Sequence, residues 1–175
     1  DRAAGMSAAL RFDGRVVVIT GAGGGLGSGY AREIAARGGA VVVNDLDGGG
    51  VVAEQIAAAG GIALANGDTV ADPAGCEAIV AATLDKFGRI DAVIANAGNM
   101  RLGDFENTSD EDLDALLTVH LKGSFHLARA AWPELPEHSL SALCDARGLS
   151  DSVQSMLPGR RWNDAIYDAV AWLVL

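Results

Sequence analysis

The sequence predicts an α/β fold of the doubly wound kind, a parallel sheet between helices in three α/β/α layers, and three observations carry that expectation. Short β-branched runs alternate with segments of helical period along most of the chain. A glycine cluster stands directly behind the first of those runs. Half of the 175 residues are hydrophobic, yet only 5% are aromatic and 23 are glycine, a composition suited to close packing of helices on a parallel sheet. The length fits one domain with a sizeable buried core.

Residues 1–5, ahead of Met6, read as a remnant before a natural start. The run 15–20, Arg-Val-Val-Val-Ile-Thr, is β-branched and ends in glycine, as a buried parallel strand should. Leu26, Tyr30 and Ile34 recur every four residues and predict a helix, which Gly38-Gly39 closes where a left-handed residue is needed. Residues 40–44 form the second strand, glycines 48–50 a turn and 51–59 the second helix. Gly60-Gly61 precedes a third strand at 62–66. Asp72-Pro73 pairs an N-cap with proline at the first helical position, opening a helix that continues through Lys86 until Gly88 stops it. A fourth strand follows at 92–95. Thr108 and Glu111 have capping-box spacing and start a long helix reaching to about Trp132. Right-handed crossovers place such units in one parallel sheet with helices on both faces.

A net charge of −10 and a pI near 4.5 exclude non-specific nucleic acid binding, because a phosphate backbone must be met by clustered Lys and Arg. The longest apolar runs, such as 16–19 and 41–43, are far shorter than a bilayer requires, and no helix pairs a basic face with an apolar one. No membrane partner is expected. With no secretory leader ahead of these runs, the expected setting is cytoplasmic. Cys76 and Cys144 share no metal-ligand spacing with the three histidines, so both read as reduced thiols and no metal site is expected.

The segment Thr20-Gly-Ala-Gly-Gly-Gly-Leu-Gly27 lies between the first strand and its helix. There the main-chain N–H groups of a helix N-terminus can receive a diphosphate, and glycine removes side chains that would block its approach. Gly21, Gly23, Gly24, Gly25, Leu26 and Gly27 are the candidate residues of this cradle. Asp45 ends the second strand, where a carboxylate can accept both hydroxyls of an adenosine ribose. That choice favours NAD over NADP: a 2′-phosphate would be repelled, and no Arg or Lys stands in the glycine loop or directly after the strand. A solvated turn carboxylate is the alternative for Asp45, and Asp47 could substitute for it.

The spacing Gly21-x-x-x-Gly25-x-Gly27 resembles that of the classical short-chain dehydrogenase/reductase family, whose fold is of the Rossmann type. Asn96-Ala97-Gly98 matches that family's Asn-Ala-Gly signature, which supports the sheet and lines the cofactor pocket, and Asp68-Thr69 matches its adenine-contacting acidic position. Val43-Asn-Asp-Leu46 and Val119-His-Leu-Lys-Gly-Ser-Phe125 look like the hydroxyacyl-CoA dehydrogenase branch of multifunctional β-oxidation enzymes and like related bacterial reductases. The resemblance covers about residues 10–134; it adds Leu46 to the cofactor site and implies that Val119 sits near the nicotinamide ribose. Taken singly, Asn96 also reads as a turn residue, Gly98 as a conformational requirement, Asp68 as a surface cap and Val119 as core. His120 stands where many relatives carry an Asn that helps hold a catalytic water, a departure that leaves its role open, and His126 forms no metal pair with it.

The resemblance implies an NAD-dependent oxidoreductase that interconverts a secondary alcohol and a ketone by hydride transfer. Such chemistry uses a tyrosine as general acid or base, a lysine that lowers its pKa and a serine that polarises the carbonyl. The lysines here are Lys86 and Lys122 and the tyrosines Tyr30 and Tyr167; none forms a Tyr-x-x-x-Lys, so the catalytic residues stay unassigned. Residues 6–134 read as the dinucleotide-binding core and 135–175 as a helical remainder of the same domain, with 168–174 resembling a late helix of the family. The fold is thus expected to lack part of its C-terminal half. A strand at 92–95 would be an apolar unpaired edge, which suggests that the sequence joins pieces of a longer chain, with breaks between about Trp132 and His138 and near 160–164. A non-catalytic dinucleotide-binding module, or a truncated pseudoenzyme, is the alternative. A hydroxyacyl thioester, a steroid or another hydrophobic alcohol would serve as substrate. Leu116, Leu117, Leu121 and Leu127 read as either core or a partner face, and the resemblance implies a homo-oligomer, tetramer or dimer.

Overall fold

Four β-branched or small-residue runs, β1 (Val16–Thr20), β2 (Ala40–Asn44), β3 (Ile62–Asn66) and β4 (Ala92–Ile94), lie side by side in a computed structural model that describes residues 11–136. All pairs are parallel and the order is β3-β2-β1-β4. Ile19 is flanked by Val43 on one side and Ile94 on the other.

Because strand side chains alternate between faces, β1 and β2 feed two separate cores. Val17, Ile19, Val41 and Val43 meet Ala31, Ile34 and Ala35 of α1 (Gly25–Ala36) and Val52, Ala53 and Ile56 of α2 (Gly49–Ala58). Val18 and Val42 point the other way, onto Cys76, Ile79 and Val80 of α3 (Pro73–Phe87) and Leu127 and Ala131 of α5 (Ser124–Ala131). This is the three-layer doubly wound arrangement that the sequence predicts. Asp72 caps α3 by accepting a hydrogen bond from the Gly75 amide at 2.8 Å, Pro73 follows it, and Gly88 ends the helix at φ +71°.

The helix read from Leu26, Tyr30 and Ile34 is present as α1, and some local details differ from the sequence reading. Of the stripe Leu26, Tyr30 and Ile34, only Ile34 is buried; α1 meets the sheet through Gly27, Ser28, Ala31, Ile34 and Ala35, because close helix-on-sheet packing takes small residues. The capping box sits one residue later, on Ser109 and Asp112 at the head of α4 (Asp110–Leu117), while the Thr108 hydroxyl turns back to the Asp104 carbonyl. The long helix to Trp132 is a continuous helical run, but it widens into a π-helical segment at Thr118–Gly123 between α4 and α5. Of the leucines with two readings, Leu127 is core and Leu117 and Leu121 are exposed.

At the amino end of the sheet, Asp91 accepts hydrogen bonds from the guanidinium groups of Arg15 (2.9 Å) and Arg89 (2.6 Å) and from the Val16 amide (2.8 Å). This clamp fixes the entry of β4 beside β1. Among the described residues β4 pairs only with β1. The expectations for residues 1–5, the remainder beyond 136, the break near 160–164, Cys144 and Tyr167 lie outside the described residues, and the window of the other expected break, between about Trp132 and His138, is described only as far as residue 136.

Candidate cofactor site

The chain leaves β1 towards β2 on one side and returns from β3 to β4 on the other, so a crevice opens at the carboxyl ends of β1 and β4. Parallel α/β sheets bind ligands at such a switch point. The glycine loop lies there. Gly21 adopts φ +63° and is pressed against the next loop; a Cβ added to it would stand 2.8 Å from the Ala97 Cα. A Cβ on Gly27 would run into the Gly21 carbonyl and the Asn96 side-chain nitrogen. Gly24 and Gly25, by contrast, face open space.

The first-turn amides of a helix have no intrahelical acceptor, and here Gly24 at the N-cap offers no side chain to them. No acidic residue occupies the first turn of α1 either. The uncapped positive end of the helix dipole beside two open glycines fits a diphosphate. Gly23 plays a different part: its amide donates to Asp45 Oδ2 at 2.8 Å, and the other carboxylate oxygen accepts from the Asp47 amide at 3.1 Å. Asp45 is therefore fixed against the loop by main-chain groups. Leu26 and Leu46 are both exposed.

Behind the loop, Asn96 Nδ2 donates to the carbonyls of Thr20 (2.9 Å) and Gly21 (3.1 Å), tying the end of β4 to the glycine bend. The Thr20 hydroxyl accepts from the Asn96 (3.2 Å) and Ala97 (3.1 Å) amides. Asp68 belongs to a second network. Its carbonyl accepts from Asn44 Nδ2 (2.8 Å), its carboxylate from Asn66 Nδ2 (2.8 Å), and Asn44 also donates to Asn66 Oδ1 (2.7 Å). The Thr69 hydroxyl accepts from the Ala71 amide at 3.1 Å.

Thr20, Asn44 and Asn66 were not singled out from the sequence. Their signal is positional: each is the last residue of its strand, and Asn44 stands opposite both Thr20 and Asn66 in register. A buried polar group at a strand end needs a partner, and Thr20 and Asn44 are almost fully buried.

Val119, half-buried, lines a small cleft with Thr20, Ala97, Gly123 and Ser124. His120 packs over Gly98, and its Nε2 lies 2.8 Å from the Asn99 carbonyl oxygen and 3.2 Å from the Asn99 amide nitrogen. Either neutral tautomer thus holds the Asn99 main chain, as donor or as acceptor. The structure brings the glycine loop, Asp45 and Asn96-Ala97-Gly98 to one end of the sheet; Asp68 and Thr69 follow β3 at the same end.

Residues 15–142 match the family model described as short chain dehydrogenase. The peroxisomal multifunctional enzyme type 2 of Mus musculus is 48% identical over 145 residues, which cover 77% of this chain and 19% of that protein. The peroxisomal hydratase-dehydrogenase-epimerase of Neurospora crassa is 49% identical over 139 residues, 73% of this chain and 15% of that protein. Among solved structures, a short chain dehydrogenase/reductase from Burkholderia phymatum in complex with NAD superposes with a TM-score of 0.68 at 31% identity, covering 72% of this chain and 46% of that one. A short chain dehydrogenase from Burkholderia cenocepacia in complex with NADP gives 0.70 at 29% identity, covering 73% and 54%. The chain therefore spans a small part of the multifunctional relatives and about half of the solved dehydrogenases. The expected cytoplasmic setting is corrected by the first two relatives, both named as peroxisomal. Compartment follows from receptor-read addresses, which charge and hydropathy do not carry.

Proposed function

The chain belongs to the short-chain dehydrogenase family, and from that premise we propose that it is the dinucleotide-binding part of an oxidoreductase that interconverts a secondary alcohol and a ketone, with NAD as its cofactor. One observation carries the reading: an uncapped helix N-terminus with open glycines stands beside a carboxylate already oriented by the loop it must serve. Bound there, the nicotinamide would supply the hydride chemistry. In this proposal the amides of Gly24, Gly25, Leu26 and Gly27 hold the diphosphate and Gly21 lets the loop close on Ala97. Asp45 accepts from the adenosine ribose beside Leu46, and Asp68 and Thr69 border the adenine. Asn96, Ala97, Gly98 and Val119 line the nicotinamide end.

Support for NAD over NADP is electrostatic, since a 2′-phosphate would approach the fixed Asp45 carboxylate with Asp47 close behind it. The strings at 43–46 and 119–125 support a hydroxyacyl thioester as substrate, with a steroid or another hydrophobic alcohol as alternatives. Family membership favours a dimer or tetramer, with exposed Leu113, Leu117 and Leu121 available to a second copy, and the named relatives favour a peroxisomal setting.

The test is titration of the purified chain with NADH and NADPH, followed by nicotinamide fluorescence and calorimetry. The reading expects saturable NADH binding that is tighter than NADPH binding. No binding of either would overturn it. Turnover of hydroxyacyl thioesters by the protein carrying the family's remaining length separates enzyme from binding module.

A further inference from the structure

Asn99 makes a contact that the cofactor reading does not use. Its side-chain Nδ2 donates to the Ala115 carbonyl at 3.2 Å, reaching from the loop after β4 to the last turn of α4. That carbonyl stands at the place where the helix changes its winding. The Thr118 amide is shared between the carbonyls of Asp114 and Ala115, and the π-helical segment begins at Thr118 itself. Side-chain intrusion on a helical carbonyl is one of the few identifiable causes of such a change, and π segments recur at functional sites. Val119 and His120, the residues facing the cleft and Gly98, lie inside this segment.

The contact comes at a cost. Asn99 Oδ1 is buried with no hydrogen-bond partner among the described residues. Turning the amide over would set that oxygen against the Ala115 carbonyl, so the donor orientation is forced and the acceptor is left stranded. A buried acceptor without a donor destabilises a fold, whereas an apolar group of the same shape does not. Asn at this position is therefore poorly explained by stability.

Resting on the cofactor reading above, we propose that Asn99 is a positioning residue: through the Ala115 carbonyl it sets the π-helical segment and so the placing of Val119 at the nicotinamide end of the site. It touches neither cofactor nor substrate.

Asn99→Leu tests this, because it keeps the branched shape and removes both the donor and the stranded acceptor. NADH affinity should fall about fivefold, as expected for one lost hydrogen bond, while ADP, which lacks both the nicotinamide and its ribose, binds as before. The unfolding temperature should be unchanged or higher. Asn99→Asp, which cannot donate, should show the same split between the two ligands. Hydrogen exchange at the amides of residues 120–124 should quicken in both variants, with or without ligand. An equal loss for both ligands together with a lower unfolding temperature would assign Asn99 a merely structural role and overturn the proposal, as would unchanged NADH binding. Failure of the parent chain to bind either ligand would overturn the cofactor reading instead. The exchange measurement would then still decide whether Asn99 sets the helix.

Discussion

The Asp45 carboxylate accepts a hydrogen bond from the Gly23 main-chain amide at 2.8 Å, so the residue expected to read the ribose also holds the loop expected to hold the diphosphate. Removing it should act twice. Asp45→Ala is expected to weaken NADH about tenfold or more and NADPH less, which narrows the preference between them. Exchange of the Gly23 amide should quicken in the same variant. Titration of both cofactors checks the first effect, and amide exchange without ligand checks the second.

The glycines of the loop divide into those the fold needs and those a ligand would need. Gly27→Ala drives a methyl into the Gly21 carbonyl and Asn96 Nδ2, and should cost about 2 kcal/mol or more of stability. Gly24 has an extended backbone that any residue adopts, and open space where its Cβ would stand. Gly24→Ala should therefore leave thermal unfolding unchanged yet weaken NADH by crowding the diphosphate. If Gly24→Ala binds NADH as the parent does, the cradle is misplaced.

How far these features could be read from residues depended on whether their cause is local. The strands were legible because Val-rich runs between glycines suit a buried parallel sheet, and Asp72-Pro73 and Gly88 mark α3 by their own conformational limits. Helix α1 was found by periodicity, but only part of its buried face was. Large Leu26 and Tyr30 help set the repeat yet stay exposed, while Ile34 shares the contact with the sheet with Gly27, Ala31 and Ala35, small residues that leave a weak periodic signature. The π-helical segment was invisible for another reason: the group on its carbonyl comes from Asn99, on a different element. The glycine loop and Asn96 were legible as motifs, whereas the Gly23–Asp45 bond and the Asn44–Asn66–Asp68 network exist only once three strands align.

Asp91 gives the stability of the sheet a pH dependence of known sign. Burial by itself would raise its pKa. The hydrogen bonds from Arg89, Arg15 and the Val16 amide, with the Arg89 charge, outweigh that and hold the carboxylate below its ordinary value of 3.8. Its side chain is only 5% exposed, although both arginines are about half exposed. A carboxylate with a lowered folded pKa stabilises fully above the unfolded value, and the contribution disappears as pH falls through the folded one. Asp91→Asn should cost about 2 kcal/mol at neutral pH, and the gap to the parent should begin to narrow at about pH 4 and close as pH falls through the lower folded value. Urea unfolding across that range measures it; a gap that does not narrow below about pH 4 would contradict the assignment.

Cys76 should behave as a packing residue with a measurable alkaline signature. Its sulfur is fully buried between the Val70 and Gly123 carbonyls, at 3.7 and 3.9 Å. Burial first, and the Asp72 charge second, push the thiol up to about 11 against an ordinary 9.0, with Arg129 opposing them. At neutral pH the folded thiolate fraction is therefore about one in ten thousand, and alkylation of the Cys76 peptide should track unfolding rather than time in the folded state. Linkage adds a second consequence: the unfolded chain sheds this proton first, so stability should fall as pH climbs from about 9 towards 11. Cys76→Ala removes that slope and nothing else titrating at the position. An identical alkaline profile in parent and variant would show that the thiol is not held in its neutral form by the fold.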